Sequence, residues 1–220
     1  MHSRDLIEQY KSYVQEWRRY FHKHPELSNE EFETTKTLAK ELESMGVEVH
    51  VDTERETGLI GIIHGEKTGK AIALRADIDA LPVQEHNTFD FKSDVDGKMH
   101  ACGHDGHMAI LLGAAKMLTS MKDRIEGDVY LAFQPAEETG AGAPDFMKFG
   151  DWFEKIDAIF GGHVWIDLPA GLISVEEGPR MAASSKITIN VKGKQGHGAQ
   201  PHQAVDAIVV ASAIVMNLQT

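Results

Sequence analysis

"DVYLAFQPAEE", residues 128–138, joins an apolar run to a pair of acids across Pro135. The run is too short for an ordinary helix and too uniformly apolar for a strand with one wet face. It predicts a strand buried on both sides, as in a parallel sheet sandwiched between helices. "GLIGIIHG" (58–65), "AIALRAD" (71–77) and "DAIFGGH" (157–163) read the same way. Between them "GHMAILLGAAKMLTSM" (106–121) and "GAPDFMKFGDWF" (142–153) read as helices. The alternation predicts an α/β domain whose mostly parallel sheet is covered by helices on both faces.

Working outward, Leu6, Tyr10, Tyr13, Val14, Trp17, Tyr20 and Phe21 recur at helical spacing and predict an amphipathic first helix. Ser28 and Glu31 of "SNEE" have the spacing of a capping box. They predict a second helix with Phe32, Thr35, Leu38, Ala39, Leu42 and Met45 on its apolar face, closed by Gly46. After residue 182 the pattern changes. Ile187, Ile189 and Val191 alternate with Lys186, Thr188, Asn190 and Lys192, which predicts a strand with one wet face, and "HQAVDAIVVASAIVMNLQT" predicts an apolar helix running to Thr220. Residues 1–182 are thus expected to form one domain and 183–220 the first strand and helix of a second, α+β domain, cut short.

The composition, 42% hydrophobic and 25% charged with 20 glycines and 7 prolines in 220 residues, is that of a globular protein. With 22 basic residues against 34 acids the formal charge is −12. That excludes nucleic acid and anionic membrane as main partners, since both demand a basic face. The N-terminal "MHSRDLIEQYKSY" has no apolar leader, and no stretch approaches the roughly 20 apolar residues of a membrane span. The single cysteine, Cys102, forms no intramolecular disulfide, and a reducing, cytoplasmic location is expected.

Ligands of open α/β sheets sit at the carboxyl ends of the strands. There the sequence places Asp77 after 71–76, Glu137 and Glu138 after 128–134, and His163 at the end of 157–163. "MHACGHDGHM" (99–108) leads into a helix of the same domain. A c-type haem and a redox pair each need a second cysteine, and a zinc finger needs a second cluster, so these fail. A cysteine nucleophile activated by His104 stays open but leaves the carboxylates idle. A two-metal hydrolase uses every group: Cys102, His104, Glu138 and His163 as ligands, and Glu137 as the base that takes a proton from water shared by ions about 3.5–4 Å apart. His107 and Asp105 are candidate supports, because a metal-bound imidazole needs its other nitrogen held. His100 is placed outside the site, and His22, His24, His50, His64 and His86 are read as ordinary histidines. Arg75 and Asp77 also fit a structural ion pair.

"RADIDALPV", "MHACGHDGHMA", "QPAEE", "GGHVW" and "GKQGHGAQPHQAVDAI" occur in that order. Together they closely resemble the motifs of the N-acyl-amino-acid amidohydrolases, the group of hippurate hydrolases, N-acetyldiaminopimelate deacetylases and auxin-conjugate hydrolases among the two-metal aminoacylases and metallocarboxypeptidases. The resemblance implies a zinc-peptidase-like catalytic domain followed by a lid domain. It also implies two divalent ions, of zinc, manganese, cobalt or nickel, and a small N-acyl amino acid as substrate. By motif it makes Cys102, His104, Glu138 and His163 the ligands, Glu137 the general base and Asp77 a supporting carboxylate. His197 resembles a lid histidine that binds substrate, in some relatives across a homodimer interface. Family members continue past the equivalent of Thr220 and supply a last histidine ligand, so a catalytically silent fragment with a partial metal site is the alternative expectation.

Overall fold

The computed structural model describes residues 3–183 and 185–218, which fall into two compact units, Met1–Ser174 and Val175–Thr220. The first unit begins with α1 (Ser3–Lys23) and α2 (Phe32–Ser44). A five-stranded sheet follows, with order β1-β2-β4-β3-β5: β1 (Glu48–Val51), β2 (Leu59–His64), β3 (Ile72–Asp77), β4 (Asp128–Gln134) and β5 (Ala158–Gly161). Helix α3 (His104–Thr119) connects β3 to β4, while α4 (Gly142–Phe146) and α5 (Trp152–Lys155) lie between β4 and β5.

The sheet is mixed. β3 pairs in parallel with β4 and β5, whereas β2 is antiparallel to both β1 and β4. Helical crossovers serve the parallel strands and a short turn joins β1 to β2, so each connection matches its pairing. β1 is an addition to the strands expected from sequence; its exposed-intermediate alternation over four residues gives only a weak signal. β5 is not a central strand: among the described residues it is an edge strand, opposite β1, and exposed along its length.

The two faces of β4 bury different cores. Val129, Leu131 and Phe133 join Phe21 of α1, Leu38 and Leu42 of α2 and Met108, Leu112 and Ala115 of α3. Tyr130 and Ala132 join Ile60, Ala73, Phe146 and Trp152 on the other side, beneath α4 and α5. The two crossovers run in opposite directions along the sheet, and right-handed connection then puts their helices on opposite faces. This delivers the covered sheet that the apolar runs imply.

The capping box does not form. Ser28 Oγ donates to Asp79 Oδ2 at 2.6 Å, and the first N–H groups of α2 are taken by Glu26, which accepts from Glu33 N (3.2 Å) and Thr34 N (2.7 Å). Helix 142–153 is likewise interrupted, at Gly150, whose φ of 62° is left-handed.

The second unit contains α6 (Ala207–Leu218), capped by Asp206 Oδ1, which accepts from Ile208 N at 2.8 Å. Residues 185–193 form no strand, although their apolar alternation predicts one. Alternation specifies a face but not a partner, and the only pairing described nearby is one antiparallel bridge, Lys194 with Val205. Ser184, at the start of that expected strand, and Gln219 and Thr220, at the end of the expected helix, lie outside the described residues. Among the described residues no helix is long and apolar enough to cross a membrane.

Candidate metal centre

The carboxyl ends of β3 and β4 and the start of α3 converge. Asp77 closes β3 in register with Gln134 of β4. Arg75 clamps the pair: Nη1 donates to Asp77 Oδ2 (2.7 Å), and Nε and Nη2 donate to Gln134 Oε1 (2.9 and 2.8 Å). The other oxygen of Asp77 accepts from His107 Nδ1 at 2.5 Å. Burial works against the Asp77 charge, but the His107 hydrogen bond and the nearby His104 and Arg75 charges outweigh it and hold this carboxyl below its ordinary range.

Because Nδ1 of His107 donates, its Nε2 is free to accept, and it takes the Val164 N–H at 3.0 Å. Both ring nitrogens are therefore used, and His107 brackets the segment after His163 without a lone pair left for a metal.

His104 is the opposite case. It has no exposed surface, and its Nδ1 donates to the main-chain oxygen of Asp79 at 2.8 Å, so the lone pair lies on Nε2. That atom is buried without a hydrogen-bond partner. Around it stand Asp77 Oδ2 at 3.6 Å, Glu138 Oε1 at 3.7 Å and Glu137 Oε2 at 3.9 Å. Burial disfavours a charged His104, yet the Asp79 hydrogen bond and the surrounding carboxylates prevail and raise its pKa. The pocket calls for positive charge.

Gly103 precedes His104 with a left-handed φ of 91°, and a Cβ there would meet Val164 Cγ2 at 2.4 Å. This glycine turns the chain so that Cys102 and His104 face one point. Cys102 Sγ lies 3.5 Å from His163 Nε2, while His163 Nδ1 donates to Val164 O. Burial, with a hydrogen bond to Glu138 and the charges of Glu138, Glu137 and Asp77, pushes the Cys102 thiol up to about 12. Such surroundings do not sustain a free thiolate, and a nucleophilic cysteine needs the reverse. A cation would invert this balance.

The adjacent glutamates differ. Glu138 is partly buried, its N–H donates to Asp79 Oδ2 at 3.0 Å, and its Oε1 is buried without a partner. Glu137 has 41% of its side chain exposed. Burial and the repulsion of Asp77 and Glu138 raise its pKa against the pull of His104.

Two groups of ligand atoms each lie within 4.8 Å: Cys102 with His104 and His163, and His104 with Glu137 and Glu138. The unpartnered His104 Nε2 and Glu138 Oε1 are what a ligand set looks like before its cation, and the mixed sulfur, nitrogen and oxygen donors suit zinc and its divalent neighbours. A third group, Asp77, His104 and His107, is less suited, because hydrogen bonds already engage Asp77 and His107.

Of the other expected residues, Asp105 faces away from this cluster. Its Oδ2 accepts from His22 Nδ1 (2.8 Å) and Arg18 Nε (2.9 Å), tying α1 to the start of α3. Of the histidines read as ordinary surface or core residues, His22 is thus a core one, a buried link between α1 and α3. His100 is buried with neither ring nitrogen hydrogen bonded, and burial brings its pKa down to about 4, so it is neutral. His197 belongs to the second unit, where its Nδ1 accepts the Ala199 N–H at 3.2 Å. Asp79 escaped the sequence analysis, although its position two residues after Asp77 on an alternating strand end was the available signal. It holds His104 through its main-chain oxygen and Glu138 through its carboxylate.

Residues 73–217 match the model of Peptidase family M20/M25/M40. The chain is 43% identical over 216 residues to an N-acyl-L-amino acid amidohydrolase of Geobacillus stearothermophilus, covering 97% of this chain and 58% of that protein. It is 45% identical over 203 residues to an N-acetylcysteine deacetylase of Bacillus subtilis, covering 92% of this chain and 53% of that one. Among solved structures it is similar to a Bacillus subtilis protein described as a dinuclear metal binding peptidase from the M20 family, with a TM-score of 0.75 and 45% identity over 78% of this chain and 48% of that one. The chain thus spans a little over half the length of these curated relatives. With the family model matching about two thirds of the chain, residues 73–217, the chain belongs to peptidase family M20/M25/M40.

Proposed function

We propose that the enzyme carrying this chain hydrolyses the amide bond of small N-acyl amino acids, releasing a carboxylate and a free amino acid. The observation that carries this reading is the juxtaposition of His104 Nε2 and Glu138 Oε1, both buried and unpartnered, with a neighbouring, partly exposed Glu137 whose Oε2 lies 3.9 Å from that Nε2. Cys102, His104, Glu138 and His163 would hold two divalent ions, of zinc, manganese, cobalt or nickel. Bound there, such ions supply Lewis acidity towards the acyl carbonyl and acidify water. Glu137 takes the proton of the attacking water at a carboxylate oxygen and passes it to the leaving nitrogen. Its raised pKa suits both halves of that task. His107, Asp77 and Asp79 fix ring orientations, the Asp79 main-chain oxygen directing the neutral His104 lone pair to Nε2, and His197 contributes to substrate binding. The names of the relatives support the substrate class. The single, reduced cysteine supports a cytoplasmic site of action, and the second unit is the surface proposed for homodimer formation.

The test is an N-acetyl amino acid assay on the intact enzyme after dialysis against a chelator. Loss of activity and its return with added zinc or manganese is the expected result. Activity that survives chelation, and is abolished by thiol alkylation in excess metal, overturns the reading in favour of a cysteine hydrolase.

A further inference from the structure

We propose that Glu31, at the start of α2, is a positioning residue that sets the geometry of the Glu137–Glu138 turn. This rests on the reading of Glu137 as base and Glu138 as ligand. The turn begins at Ala136, whose φ of 53° and ψ of 39° are left-handed, a conformation that a residue with a side chain adopts only when its surroundings impose it. The Ala136 N–H donates to Glu31 Oε1 at 2.8 Å, and its carbonyl accepts from Thr139 Oγ1 (2.9 Å) and Gly142 N (3.2 Å). Two residues on, the Glu138 N–H donates to Asp79 Oδ2, which also accepts from Ser28 Oγ. Both ends of the turn are thus held by carboxylates, one supplied by Glu31 and the other anchored by Ser28, the same pair that the sequence spacing assigns to a helix cap.

Glu31 is free for this because Glu26 takes the helix N–H groups. Its backbone is fixed by α2, where Thr34, Thr35, Leu38 and Leu42 are buried. A further brace comes from the same helix: Thr35 Oγ1 accepts the Gly58 N–H at 2.9 Å, and a Cβ on Gly58 would strike Pro135 Cδ at 2.5 Å. The Glu31 side chain is wholly buried and its Oε2 has no hydrogen-bond partner. An acid kept there, against the burial that pushes it up to about 7, is costly for the fold alone. The Asn29 and Glu31 N–H groups that also face its carboxylate are local to its own loop, and the Ala136 N–H is the one that reaches the turn, so its value lies in where it puts the two glutamates.

The experiment compares Glu31→Gln, which keeps an oxygen acceptor, with Glu31→Met, which keeps the volume and loses it, in the intact enzyme. Readouts are the zinc dissociation constant by titration calorimetry, kcat and KM for an N-acetyl amino acid, and the thermal midpoint. In Glu31→Met, zinc affinity or kcat should fall by about 10- to 100-fold with KM within a few-fold, as for other residues that orient ligands. Glu31→Gln should recover most of that loss. Zinc affinity and kcat in Glu31→Met equal to those of the parent overturn the proposal, as does a Gln variant as impaired as Met. If Glu31→Met does not fold, amide exchange at Ala136 in the parent protein decides: protection supports the proposal and free exchange overturns it. Glu137→Gln serves as control, since full turnover in that variant removes the reading of the base and not the role of Glu31.

Discussion

The site has two halves that are built to different standards. On the side of β3 and α3, Asp77, Asp79, His104 and His107 are almost wholly buried, and nearly all their polar atoms are hydrogen bonded. On the segments after β4 and β5, Glu137 and His163 keep exposed surface and few bonds, and the part-buried Cys102 just before α3 meets His163 at 3.5 Å. The lesson is one of division: a dry half, hydrogen bonded except at His104 Nε2 and Asp79 Oδ1, fixes direction, and a wetter half holds Glu137, the group proposed to carry the proton.

Four outcomes would sharpen or break that comparison. Glu137→Gln should lower turnover about 10²- to 10⁴-fold while metal content stays unchanged, measured by kcat and metal analysis on the intact enzyme. Loss of metal along with turnover would place Glu137 in the fixed half instead. Asp77→Ala strands the Arg75 guanidinium and the His107 ring and should lose about 3–5 kcal/mol in urea unfolding. His163→Ala should change stability by less than about 1 kcal/mol and act mainly on metal affinity. Equal losses in the two would dissolve the distinction.

The third concerns pH. With its thiol pushed up to about 12, Cys102 carries a proton in the metal-free site at any working pH, and binding must displace it. Zinc affinity should therefore rise with pH, about tenfold per unit for each proton released, and Cys102→Ala should remove one proton from that slope. The smallest effect is at His22. Burial opposes its charge, but the hydrogen bonds it donates to Asp105 and Glu85 prevail and raise its pKa. Its protonated form then adds stability that is fully present below the ordinary histidine pKa and is lost as pH rises through the higher folded value. Unfolding measured from pH 6 to 9 should show this loss, and His22→Gln should flatten it.

Much of this was legible in the chain. The run 128–134 announced a doubly covered strand, and the acids and histidines placed after successive strands fell at one edge. The failures share a cause: local pattern says what a residue offers and not who accepts it. Ser28 and Glu31 have capping-box spacing, yet Glu26 outcompetes them for the helix N–H groups and they turn to Asp79 and Ala136. Asp105 stands beside His104 in sequence, but successive residues of a helix point in different directions, and it meets His22 instead. Residues 187–191 alternate like a strand, but among the described residues no neighbouring strand completes one.

The environment of Cys102 also bears on how the protein ages. Thiolates, not thiols, are what peroxide converts to sulfenic acid. Burial, with Glu138, Glu137 and Asp77, favours the protonated sulfur, so the surroundings proposed to seat a cation would also shield the residue from oxidation in the cation's absence.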